Sequence, residues 1–203
     1  PLITTAQPGS AYLLESITGE EISSNLKPLD KINGYDVRPG FYEVNGASAL
    51  PGGVNFTLAS HGATSCELLL FHRKSSEPFA SIPFPEHYRI GNVFSMIVFG
   101  LKIDEFEYAY RLDGPYQPEK GLIYDKTKYI LDPYAKAVTG QSEWGIHLPC
   151  TQNCQYKSRV VRNNFDWGNS KQPLIPMKDN IIYELHVRGF TRHSSSGVHN
   201  PGT

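Results

Sequence analysis

Between residues 53 and 114 the chain repeats one device: GVNFTLAS, CELLLFH, PFASIPF, VFSMIVFG and EFEYAYRLDG are each short, rich in β-branched or aromatic residues, and bounded by Gly, Pro, Asn or Ser. VNFTLAS alternates Val54, Phe56 and Leu58 against Asn55, Thr57 and Ala59, the period of two expected of a strand with one buried face. EFEYAYRLDG does the same with Phe106, Tyr108 and Tyr110 against Glu107, Ala109 and Arg111. Packing claims most aromatic side chains, so this stripe reads as a core face before it reads as a sugar-stacking platform. Nowhere is a 3.6-residue period sustained over the ten or so residues a helix needs, which excludes α/β layering here. The pattern predicts an all-β, immunoglobulin-like sandwich.

The 203 residues divide by character. Residues 1–35 lack a clean period and read as an N-terminal arm; residues 36–137 carry the strand pattern; residues 138–178, rich in Pro, Asn and Gly, read as an irregular connector. Residues 179–203 open with IIYELHV, which reads as a strand buried on both faces. Such a strand needs hydrogen-bonding neighbours on both edges, so it must borrow a partner.

Composition narrows the partners. A net charge of −1 with scattered Lys and Arg offers no phosphate-binding face. The apolar run VFSMIVFG is far shorter than the ~20 residues of a spanning helix, so neither nucleic acid nor membrane is expected. Three cysteines are too few for a disulfide scaffold and favour a reducing, cytoplasmic setting. Cys150 and Cys154, in CTQNC, lack a second ligand pair at zinc spacing, so no metal and no cofactor is expected. The seven histidines show no paired spacing, and no GxSxG or phosphate loop occurs.

Taken in order, ALPGGVNFTLASHGATSCELLLF, YAYRLDGPYQPEKGLIYDKTKYILDPYAKAV, FDW and IIYELHVRGFTRHSSSGVHNPGT resemble the N-terminal part of isoamylase-type glycogen debranching enzymes over residues 40–203. LDPYAKA and YELHVRGFT are the most specific segments. The resemblance implies a family 48 carbohydrate-binding module followed by a (β/α)8 barrel of the α-amylase superfamily, with the chain ending just inside that barrel and IIYELHV as its first strand. It further implies α-1,6-glucosidase action on glycogen or limit dextrin, by a retaining pair of carboxylates about 5 Å apart. Those sit on later barrel strands, so no catalytic residue is expected in this chain and the fragment alone should be inactive. Glu184 and His186 share a strand face but lack an opposing carboxylate.

Sugar binding by the module needs exposed rings. The two tryptophans, Trp144 and Trp167, both fall after the predicted strands. The candidates for glucan contact are therefore Trp144, with Tyr116, Tyr124 and Tyr88 as weaker platforms in turns. Scaffolding of the barrel ranks first, weak glucan contact second, and a protein-interaction role without sugar binding is the alternative.

Overall fold

A computed structural model describes residues 26–140, 156–162 and 166–202. The chain falls into two units, divided between residues 163 and 164.

The first unit is a two-sheet antiparallel sandwich. One sheet has the order β1-β2-β8-β4-β3, from strands β1 (Asp30–Ile32), β2 (Tyr35–Pro39), β3 (Gly46–Leu50), β4 (Gly53–Ala59) and β8 (Val93–Phe99). The short β7 (Arg89–Ile90) also pairs with β8, beside residues that β2 leaves free. The second sheet has the order β12-β13-β9-β5-β6, from β5 (Ser65–His72), β6 (Pro78–Pro83), β9 (Phe106–Asp113), β12 (Ala137–Thr139) and β13 (Lys157–Arg159). A small hairpin, β10 (Tyr116–Gln117) and β11 (Leu122–Ile123), stands apart from both sheets.

Alternation decides what fills the gap between the sheets. Val54, Phe56 and Leu58 from β4, and Phe94, Met96 and Val98 from β8, point inward from the first sheet. Cys66, Leu68 and Leu70 from β5, with Phe106, Tyr108, Tyr110 and Leu112 from β9, meet them from the second. Phe56 and Tyr108 touch edge to face across the gap, with ring centroids 5.2 Å apart. The aromatic stripe of β9 is thus a core face, as its spacing predicts.

The outward faces are covered too. On the first sheet Asn55, Thr57 and Ser95 are buried polar groups, and each must find partners. Asn55 accepts from the Phe41 amide at 2.8 Å and donates to Thr57 at 3.0 Å; Thr57 donates to the Phe41 carbonyl at 3.0 Å and shares a 2.6 Å hydrogen bond with Ser95. The Gly40–Phe41 backbone therefore lies flat on the sheet. On the second sheet Leu69, Phe71 and Ala109 form a small satellite core under Tyr129, and the Lys157 ammonium sits 5.1 Å from the Phe71 ring centre.

Two regions read as irregular in the sequence join the sheets. β1 lies within 1–35, and β13 within 138–178. β13 pairs with β9 at Ser158 and Tyr108, and with β12 along its length.

The second unit is described by itself. Met177–Asp179 forms a 3-10 turn and Val187–Arg192 a short helix, α1. The His186 Nδ1 accepts from the Gly189 amide at 2.8 Å and caps that helix. The expected strand over 181–187 is not formed: no ladder pairs with Ile181–His186 among the described residues, and Val187 is already helical. Ile181 is 99% exposed, and Ile182 and Tyr183 are exposed beside it. A central strand's apolar sequence supplies side chains to bury but not the two edges it must bond to, and without those the segment has no sheet to enter.

The closeness of Gly40 to the sheet yields a prediction. A Cβ there would overlap the Ser95 hydroxyl and the Asn55 carbonyl oxygen and lie 2.7 Å from the Met96 amide nitrogen. Gly40→Ala should lower stability by about 1–3 kcal/mol, the usual range for overpacking. Urea unfolding monitored by circular dichroism should show an earlier midpoint at an unchanged slope.

Candidate functional site

Three of the four aromatic candidates fall among the described residues, and they separate clearly by environment. Trp144 lies outside the described residues. Tyr88 follows Glu86–His87 in a 3-10 turn that points its ring inward; it is 0% exposed, and its hydroxyl donates to Asp30 at 2.5 Å. A ring with no free face cannot stack on sugar, so Tyr88 is corrected from platform to core anchor. Its hydroxyl proton is held tightly, because burial and the Asp30 carboxylate both push its pKa up. In turn the Tyr88 hydroxyl, with His87, holds Asp30 below the usual carboxylate range.

Tyr124 is half-buried and also spoken for. Its hydroxyl donates to the His61 carbonyl and lies 3.1 Å from the Ser60 hydroxyl. Its ring rests on the backbone at Gly114, where an added Cβ would come within 2.7 Å of it. Tyr116 is the opposite case. It is 71% exposed, on a hairpin whose loop, Pro118–Gly121, closes through a left-handed glycine.

The structure adds a neighbour that spacing did not supply. Tyr116 pairs across the hairpin with Ile123, and directly opposed residues of an antiparallel pair project to the same side. Ile123 is 67% exposed. The two side chains make one small apolar face, while Leu122 on the other side of the hairpin packs toward Gly62. The sequence signal was present in YQPEKGLIY, where Tyr116 on one side and the apolar pair Leu122-Ile123 on the other flank a Pro-to-Gly loop.

One buried carboxylate needs a chemical account. Asp132, in LDPYAKA, accepts from the Tyr108 hydroxyl at 2.7 Å and from the Tyr134 amide at 2.8 Å, and its own amide donates to Ser158 at 3.1 Å. Burial raises its pKa above the usual carboxylate value even against those hydrogen bonds. A retaining hydrolase pair needs a second carboxylate about 5 Å away and a substrate cleft between them; Asp132 is instead enclosed by tyrosines and a serine, which makes it a structural clamp. Elsewhere Glu67 takes hydrogen bonds from Ser81 at 2.6 Å and Arg111 at 2.5 Å, which outweigh its partial burial and lower its pKa. Burial pushes the Cys66 thiol well up, so it is a core side chain and not a nucleophile. Among the described residues no group of three His, Cys, Asp or Glu side chains is placed to hold a metal, and no helix is long and apolar enough to cross a membrane. Cys150 and Cys154 lie outside the described residues.

Comparison with known proteins gives this geometry its context. Residues 44–135 match the model of carbohydrate-binding module 48, the isoamylase N-terminal domain. The chain is 39% identical over 165 residues to isoamylase SU1, chloroplastic, of Zea mays, covering 78% of this chain and 21% of that protein. It is 34% identical over 149 residues to the glycogen debranching enzyme of Yersinia enterocolitica, covering 69% of this chain and 22% of that one. The chain therefore spans about a fifth of these relatives' length. Among solved structures, apo pullulanase from Paenibacillus barengoltzii superposes with a TM-score of 0.52 at 23% identity, over 80% of this chain and 22% of that one. That likeness shows the sandwich fold.

The Asp132 clamp generates a pH prediction with a defined sign. Its carboxyl is more easily protonated in the fold than in the unfolded chain. Its stabilising contribution is therefore complete below the ordinary carboxylate pKa and is lost as pH rises through the raised folded value. Asp132→Asn should flatten the stability loss in that window. Asp132→Ala should cost about 1–3 kcal/mol by leaving buried donors short of an acceptor. Urea unfolding of the three proteins from about pH 4 to about pH 8 reads both effects.

Proposed function

We propose that the chain, whose residues 44–135 match the model of carbohydrate-binding module 48, is the N-terminal glucan-contacting and scaffolding region of an enzyme that hydrolyses α-1,6 branch linkages in glycogen-like glucans. The observation that carries this reading is the module match, joined to 39% identity with an isoamylase over most of the chain. The exposed Tyr116 and Ile123 face supports the glucan-contacting half. A tyrosine ring presents a flat apolar surface to a sugar's C–H groups while its hydroxyl stays solvated, the arrangement that suits a wet carbohydrate ligand.

On this reading, bond cleavage belongs to a (β/α)8 domain whose strand ends carry the two carboxylates. None of the chain's own residues has a step in it. Its contribution is to hold a branch-bearing polymer near the cleft and to offer a rigid wall for the catalytic domain. The setting we infer is reducing and cytoplasmic, in keeping with a free buried Cys66; the plant relative named above carries the word chloroplastic in its own name.

Affinity electrophoresis through gels with and without glycogen tests the proposal. The 203-residue chain should be retarded by glycogen and should release no reducing sugar from it. Tyr116→Ala should weaken the interaction about five-fold, the scale of one aromatic stacking contact, and Tyr88→Phe should leave it unchanged. Trp144→Ala run alongside assigns any share held by that ring. Equal mobility of the wild-type chain in both gels would overturn glucan contact and leave a scaffold.

A further inference from the structure

We propose that Tyr124 is a positioning residue: it fixes the β10–β11 hairpin to the end of the sandwich, so that Tyr116 and Ile123 are presented together as a ready-made face for one glucose ring. This rests on the glucan-contacting reading above and names the residue that makes that face rigid.

The hairpin has little of its own to hold it. Each strand is two residues long and pairs only with the other, and an isolated two-stranded hairpin is marginal in water. Its order must come from contacts to the sandwich, and these converge on Tyr124. Leu122, on the side of β11 opposite Ile123, and Tyr124, the residue just after β11, turn toward the sandwich together. Both meet Gly62, in the turn between β4 and β5: a Cβ at Gly62 would lie 3.1 Å from Leu122 and 3.6 Å from the Tyr124 ring. The ring also closes over Gly114, at the entry to the hairpin, and the Tyr124 amide reaches the Pro115 carbonyl at 3.4 Å.

The hydroxyl completes the attachment. It bonds the His61 carbonyl and the Ser60 hydroxyl, more than sixty residues away in the chain. His61 is itself within 3.2 Å of the Asn92 side-chain amide, in the turn between β7 and β8. One phenol thus ties the hairpin to the turn that joins β4 of one sheet to β5 of the other. Presentation of an already ordered face matters because ordering it on binding would be subtracted from a small contact energy.

Two readouts test this on the full 203-residue chain. Tyr124→Phe removes only the hydroxyl. Hydrogen exchange of the amides from residue 116 to residue 124 should accelerate about five-fold, with exchange in β4, β5, β8 and β9 unchanged. The Kd for maltohexaose should rise by a similar factor, while the thermal midpoint moves by no more than about 4 °C. Ser60→Ala should shift exchange in the same direction by less. Tyr116→Ala should weaken maltohexaose binding without altering exchange, since that ring is held and does not hold. Unchanged exchange in Tyr124→Phe would overturn the positioning role whatever the affinity does. Faster exchange in a chain whose wild-type form ignores maltohexaose would overturn the assigned purpose and, with it, the glucan reading of Tyr116.

Discussion

The structure depends on a conflict inside one side chain. Tyr108 stands in the middle of β9, where its ring must fill the gap between the sheets and does so against Phe56. That placement takes its hydroxyl out of water, and an unpaired buried hydroxyl costs about 1–3 kcal/mol. Asp132 supplies the partner, and Ser158, from a segment separated in the chain, accepts in turn from the Asp132 amide. Satisfying one phenol therefore fixes the path of residues 131–134 beside the sandwich and adds β13 to its sheet. Tyr110, two residues on and also buried, shows the contrast: its hydroxyl has no hydrogen-bond partner among the described residues, and no comparable clamp is built around it.

That dependence explains what the sequence showed and what it hid. The strands β4, β5, β6, β8 and β9 were legible because each carries its burial in its own alternation or apolar run. β3, GASAL, is made of small residues with little hydrophobic contrast, and it is defined by its full register with β4. β13, KSR, has no apolar side chain at all. It is a strand because its backbone pairs with the β9 edge, its serine serves Asp132, and its lysine ammonium lies over Phe71. Such a strand is specified by groups elsewhere in the chain, beyond the reach of any local window. The β1–β2 hairpin did have a local signal, since Asn33-Gly34 occupies a two-residue turn with both residues at positive φ.

The candidate site follows the same division. That Tyr116 sits in a turn is readable from LDGPY; that it is exposed while Tyr124, eight residues on, is half-buried follows from the contacts Tyr124 makes with Gly62 and Gly114 just after β11. Tyr88 misleads because a 3-10 turn between Pro85 and Arg89 lets a loop tyrosine reach the core. Ile181–Val187 misleads for the opposite reason. Its composition is that of a central strand, yet hydrophobic sequence specifies only what a strand wants to bury, and pairing must be supplied by neighbours.

The scale of the hairpin face sets limits on how it can work. One tyrosine and one isoleucine side chain form a contact smaller than the clefts that enclose small ligands, and association entropy must be subtracted from whatever they gain. On the proposed glucan-contacting reading, such a face would hold a single glucose unit weakly, on the order of the millimolar range. Glycogen changes the arithmetic because it is a polymer. On the proposed reading, once a site on the catalytic domain held one branch, a neighbouring branch would stand at an effective concentration that also reaches millimolar values, so a millimolar contact would become substantially occupied. The gain holds only if the face keeps a fixed position relative to that second site, since a floppy hairpin would spend the contact energy on its own ordering. A weak platform on a rigid sandwich would therefore suit the proposed polymeric substrate, and the hydrogen bonds of Tyr124 to Ser60 and His61 are where that rigidity would reach the hairpin.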